Sequence, residues 1–203
     1  MAHSTLRLVL PGLVAFAAAA LTSSYSSDAA AQSIIKRPGQ HARYSVEIEP
    51  HGIYQWDHPD DGPGFGLRVN IPLMHNGPIS SINNNIAIGV GADIAFWDND
   101  RYWRDGYYCN DRNRFGNGDC DGITMWFPVV FQWNFYLTDI ISVFGEVGLT
   151  GQYVNWDNDF YDDDDFDLNF VGQGGGRFQF SDNVGLMVRI GWPYVSVGAN
   201  ILF

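Results

Sequence analysis

The chain has 203 residues, with 23 Asp and Glu against 11 Lys and Arg and a formal net charge of −12. That length holds one domain with a real core. An acidic chain without a basic patch argues against a nucleic-acid partner. No apolar run outside the N-terminus is long enough for a helical membrane span.

Residues 1–31 read as a cleaved signal peptide. Arg7 supplies the positive charge, Leu8 to Leu21 the apolar stretch, and Ala29-Ala30-Ala31 before Gln32 a small-residue cleavage site. Residues 32–203 are the expected mature domain. Export places Cys109 and Cys120 in an oxidising compartment, so a disulfide between them is expected.

A polar lead-in runs from Gln32 to Gln40, and eight alternating segments follow. The first, 42–56, sets Tyr44, Val46, Ile48, Tyr54 and Trp56 against Glu47, Glu49, His51 and Gln55. Pro50 costs it a ladder hydrogen bond. In the second, 64–73, Phe65, Leu67, Val69, Ile71 and Leu73 oppose Gly66, Arg68 and Asn70. The third, 86–97, carries Asp93 among glycines and alanines on its polar phase. The fourth and fifth, 123–137 and 140–153, flank a tight Thr138-Asp139 turn and place Glu146 on the polar phase. The sixth, 166–180, carries Arg177; the seventh, 184–192, carries Arg189. After Pro193 the chain closes on Tyr194 to Phe203, with Val195, Val197, Ala199, Ile201 and Phe203 on one parity.

Connections 57–63, 98–122 and 154–165 are acidic and aromatic, whereas 138–139 and 181–183 are short. The 74–85 connection is long for a short-turn end, and the one at Pro193 is very short. Alternation alone leaves open a soluble lipocalin-like barrel, apolar inside, or a membrane barrel, apolar outside. Gly66, Gly89, Gly91, Gly148, Gly185, Gly191 and Gly198 on the polar phase suit a narrow lumen. Aromatics near strand ends, including Tyr44, Trp56, Phe65, Phe96, Phe166, Trp192 and Phe203, suit interfacial girdles. Both features favour the membrane barrel.

The terminal pattern Ser196, Gly198, Ile201, Phe203 resembles the C-terminal assembly signal of bacterial outer-membrane barrels. With strand count and turn alternation, residues 42–203 resemble the small eight-stranded OmpA/OmpX-type outer-membrane barrels. The resemblance implies an all-β fold, an eight-stranded antiparallel up-and-down transmembrane barrel in the bacterial outer membrane. It implies contact with lipid and lipopolysaccharide, and with the barrel-assembly machinery. A monomer without a C-terminal periplasmic domain is expected.

Charges away from water must pair. Glu47, Arg68, Glu146 and Arg189 are expected at similar heights, with Glu49, Asp93 and Arg177 above or below, as a lumenal ion-pair network. Glu47 and Arg68 are the expected neighbours. In the long loop Asn117, Asp119 and Asp121 match half of a calcium loop, but position twelve is Pro128. Calcium is the one candidate cofactor, with a solvated acidic surface as the plainer reading. Tyr102, Trp103, Tyr107 and Tyr108 beside Arg101 and Arg104 are candidate anchors for an extracellular ligand. His58 with Asp60 and Asp61 is the only candidate catalytic cluster, and no loop Ser accompanies it. The expected role is structural or surface-binding, in adhesion or membrane integrity, and not enzymatic. A narrow solute channel is the alternative, and a lipid A-modifying enzyme the third.

Overall fold

The computed structural model describes residues 33–56, 61–99, 103–104, 107–108, 120–156 and 165–203. Its strands are β1 (Glu47–Gln55), β2 (Gly62–Met74), β3 (Asn84–Asn99), β4 (Trp103–Arg104), β5 (Tyr107–Tyr108), β6 (Cys120–Tyr136), β7 (Ile141–Trp156), β8 (Asp165–Gln179), β9 (Val184–Trp192) and β10 (Tyr194–Leu202). Eight of them close a barrel in the order β1-β10-β9-β8-β7-β6-β3-β2, every pair antiparallel. β4 and β5 form a separate two-stranded ladder. The expected eight-stranded up-and-down barrel is therefore the observed one.

The register fixes the geometry. Ile53 lies opposite Ser196, Ser196 opposite Arg189, Arg189 opposite Gly175, Gly175 opposite Phe144, and Phe144 opposite Asn134. Continuing through β3 and β2 returns to β1 about ten residues from the start, a shear that tilts strands at roughly 40° for spacings of ~3.3 Å along and ~4.8 Å between them. Neighbours in register are therefore not at one height along the barrel axis.

Prolines interrupt the ladders where a donor is missing. The β1–β10 ladder pairs Ile48 with Ile201 and resumes at His51 and Gly198, stepping over Glu49 and Pro50. The β3–β6 ladder likewise steps over the pair of positions facing Phe127 and Pro128. Gly191 has φ +152°, and a Cβ there would meet the Gly172 carbonyl oxygen at 2.3 Å, so only glycine fits where β9 runs into the short link to β10.

One phase of every barrel strand is buried and the other exposed. Outward lie Phe65, Leu67, Ile71, Val90, Val129, Phe131, Val147, Leu149, Leu168, Phe170, Val188 and Ile190, and Phe170 is 77% exposed. Inward lie Glu47, Glu49, Arg68, Asn70, Gln132, Asn134, Glu146 and Arg189, none more than 5% exposed. This is the inverse of a soluble barrel, in which water covers the polar phase. Lumenal glycines make room for large neighbours. A Cβ on Gly66 would sit 1.8 Å from Asp93 Oδ1, and one on Gly175 2.3 Å from the Phe144 ring.

Two expectations need correction. The first strand starts at Glu47, not at 42, and the alternation breaks before it. Tyr44, expected on the outer face, is 6% exposed and its hydroxyl accepts a hydrogen bond from Asn85 Nδ2 at 3.2 Å. Trp192, expected in an interfacial girdle, turns edge-on to the buried Trp126 with ring centroids 5.6 Å apart. It joins an apolar cluster of Ile53, Ala95, Trp126 and Tyr194 at the loop end of the lumen.

The lead-in is not loose. Ile34 is buried, and its N–H donates to the Leu137 carbonyl at 3.0 Å. The Asn83 N–H donates to the Ile35 carbonyl at 2.6 Å, so residues 33–46 lie against the turn end of the barrel.

Candidate functional site

The inward parity of six strands brings together every ionisable residue expected in the lumen. Arg177 (β8) faces Glu47 (β1), Nε to Oε1 at 2.8 Å, and its Nη2 reaches Glu49 Oε1 at 2.9 Å. Arg189 (β9) holds the other Glu49 oxygen at 2.6 Å and Glu146 (β7) through Nε at 3.0 Å. Arg68 (β2) crosses to Glu146 with Nη1 to Oε2 at 2.6 Å, and its Nη2 donates to the Tyr194 hydroxyl at 2.9 Å. The Tyr194 hydroxyl in turn donates to Asp93 Oδ2. Arg68 lies 3.8 Å from that same Asp93 oxygen.

The expected Glu47–Arg68 pair is not formed. Arg68 is in register with Glu49, and Glu47 with Asn70, yet the Arg68 guanidinium passes both acids. The shear separates register partners in height, and an eight-stranded lumen is narrow enough for an arginine to span. Glu49 accordingly sits in the middle of the network, between Arg177 and Arg189. Glu47 lies nearer the turn end, with Arg177 as its cation.

Further side chains complete the network, among them His51, read from sequence as a lumen-facing core residue beside Glu49. His51 places Nε2 at 2.9 Å from Asp93 Oδ1 and Nδ1 at 2.8 Å from the Glu49 carbonyl oxygen. Both ring nitrogens thus face acceptors. Among the described residues, four carboxylates meet three guanidiniums here. Gln132 donates to Glu146 Oε1 at 2.6 Å and accepts from Arg177 Nη2 at 2.9 Å. Asn134 accepts from Arg177 Nη1 at 2.6 Å. The Phe144 ring lies 4.3 Å from the Arg177 guanidinium carbon and 5.4 Å from that of Arg189, in cation–π range. Parity alone marks all of these as inward, and that was the available signal.

Above the network Trp126 donates from Nε1 to Gln55 Oε1 at 3.1 Å, beneath Trp192. Below it opens a cavity of about 540 Å³ at the turn end, lined among others by His41, Arg43, Tyr44, Glu47, Tyr136 and Arg177.

No family model and no curated protein matches the chain. Among solved structures the chain is similar to Ail, the attachment invasion locus protein of Yersinia pestis, in complex with the heparin analogue sucrose octasulfate. That match has 13% identity over 78% of this chain and 97% of the other, with a TM-score of 0.48. Ail without that ligand gives 12% identity over the same shares, with a TM-score of 0.47. Neisserial surface protein A gives 12% identity over 78% of this chain and 96% of the other, with a TM-score of 0.46. No residue role passes from these proteins to this chain, and the fold rests on the closed register above.

The remaining sequence candidates divide. Ser196, Gly198 and Ile201 lie on β10, and Ser196 accepts from Arg189 Nη1 at 3.3 Å inside the lumen. Phe203 is exposed, while its backbone pairs reciprocally with Val46. Trp103, Tyr107 and Tyr108 belong to the β4–β5 ladder, with Trp103 opposite Tyr108. Cys120 begins β6 and Asp121 lies opposite Asp98. Tyr102, Cys109, Asn117 and Asp119 fall outside the described residues, and with them the expected disulfide and calcium loop. His58 and Asp60 also fall outside them; Asp61 accepts from the Tyr54 hydroxyl at 2.7 Å.

Proposed function

We propose that the chain is a bacterial outer-membrane β-barrel, closed to solutes by its ion-pair core, with a structural or surface-binding role in adhesion or membrane integrity. The observation that carries this reading is the inverted barrel. Phe65, Leu168, Phe170 and Ile190 are at least 60% exposed, whereas Arg68, Arg189, Asn70 and Glu49 are fully buried. Water does not stabilise that arrangement; hydrocarbon does, because every strand is paired and the polar phase is internal. Lipid covers the outer face, and the Ser196–Phe203 strand is the segment presented to the barrel-assembly machinery. The aromatic residues of the 98–122 loop are the proposed contact for an extracellular ligand, with Cys109 and Cys120 of the same segment proposed as a disulfide.

The core opposes conduction because each charged group already has a partner within the lumen, so an entering ion must displace one. Reconstitution in planar bilayers tests this directly. The expected record is free of steady unitary openings, and long-lived openings in most insertions would transfer the assignment to a channel. The narrow-channel reading keeps one support, the turn-end cavity that reaches Glu47 and Arg177.

A further inference from the structure

One buried ring helps to hold residues 33–46 at the turn end, beside the backbone bonds of Ile34 and Ile35. His41 is 7% exposed and stacks on Tyr136 with ring centroids 4.1 Å apart and planes 3° from parallel. Its Nδ1 lies 2.6 Å from Asn83 Oδ1, which also accepts the Gly39 N–H at 3.2 Å. A backbone N–H can only donate, so the Asn83 atom there is the oxygen, and the hydrogen of the neutral His41 ring is on Nδ1. Gly39 reaches Asn83 through a left-handed φ of +76°. The segment supplies Ile34, Gln40, His41, Ala42, Arg43 and Tyr44 to the wall of the turn-end cavity.

We propose that residues 33–46 form an acid-released strap over the turn end of the lumen, with His41 as its titrating catch. The groups around the ring come from several elements. Arg43 lies on the strap, His75 on the β2–β3 connection and Tyr136 at the end of β6. Across the cavity stand Glu47, Asp139, Arg177 and Asp182. Protonation adds a charge to a ring stacked away from water, with Arg43 and His75 as its charged or chargeable neighbours.

Burial holds the His41 ring below its ordinary value of 6.5, against a smaller upward pull from Asn83. The seated strap thus binds fewer protons than the released one. Seating is complete above the ordinary imidazole range and is lost as pH falls through the seated ring's lower value, by up to about tenfold per pH unit for one proton. Release uncovers the cavity and, at its floor, the Arg177–Glu47 pair.

The test is hydrogen exchange of the mature chain refolded in phospholipid vesicles, read by mass spectrometry at about pH 7.5 and about pH 5. Labelling times are scaled for the chemical exchange rate. In the wild type, peptides from 33–44 should lose protection at least about fivefold at the lower pH, while β7 and β8 peptides keep theirs. His41→Phe keeps an aromatic ring on Tyr136 without a titrating group, and its strap should be insensitive to pH. Asn83→Asp puts a carboxylate at Nδ1 and should hold the strap seated at the lower pH. The proposal is overturned if wild-type strap protection does not change, if His41→Phe changes as the wild type does, or if the barrel strands lose protection together with the strap.

Discussion

Arg177→Met is the sharpest probe of the lumen. Arg177 is the cation that Glu47 meets at 2.8 Å, and Glu47 is 1% exposed. Removing the guanidinium leaves Glu47 with a hydrogen bond from Asn70 Nδ2 at 3.2 Å and no cation, whereas Glu49 keeps Arg189 at 2.6 Å. Stranding one buried charge in this way costs about 3–5 kcal/mol. Replacing Glu47 as well, in Glu47→Gln/Arg177→Met, removes the stranded charge. The double variant should recover about 2 kcal/mol or more of that loss, because neutral pairs of similar size replace buried ion pairs at little cost. Urea unfolding in phospholipid vesicles, with coincident folding and unfolding arms, gives both free energies by linear extrapolation. A loss below about 1 kcal/mol for the single variant, or a double variant no more stable than the single one, would refute a network held by charge satisfaction.

Three other outcomes are expected. Removing Phe203 deletes the carbonyl that accepts from Ser45 at 2.6 Å and the N–H that donates to Val46 at 2.9 Å. The truncated chain should insert into vesicles in lower yield than the full chain, scored as the protease-protected fraction; equal yields would separate the terminal strand from assembly. Val188→Arg, on the outward face of β9, should cost about 2–4 kcal/mol if that face meets hydrocarbon. A cost near zero in the same urea titration would place the face in water. The intact mass of exported protein should begin at Gln32 and lie two hydrogens below the reduced value. Alkylation of Cys109 or Cys120 before reduction would remove the disulfide.

The fold was legible because a period of two survives in every barrel strand. Arg68, Asp93, Glu146, Arg177 and Arg189 all share the buried parity that alternation assigns them. What failed was local. Pairing with the terminal strand begins at Ser45 and Val46, after a break that the even-numbered run from Tyr44 conceals, so Tyr44 turns inward. Trp192 obeys the alternation in sequence but precedes the buried Pro193 and folds toward Trp126. The Glu47–Arg68 pair failed because register and height differ in a sheared barrel, and shear is a property of eight pairings together. The strap was invisible because its contacts, Ile34 with Leu137 and His41 with Asn83 and Tyr136, join segments that are far apart in sequence and carry no repeating pattern.

The bonds of the lumen share a span that bears on how the barrel is made. Arg68 meets Glu146 across 78 positions, Arg177 meets Glu49 across 128, and Arg189 meets Glu49 across 140. The two Glu49 pairs join the first strand of the chain to its closing ones. A sheet not yet closed therefore leaves Glu49 of β1 without Arg177 of β8 and Arg189 of β9, the cations that meet it in the closed barrel. The sealing of β1 to β10 and the quenching of those charges become one event. Contacts of such long sequence separation form late and slowly, and here they make the last step of folding the one that renders the interior compatible with hydrocarbon around it.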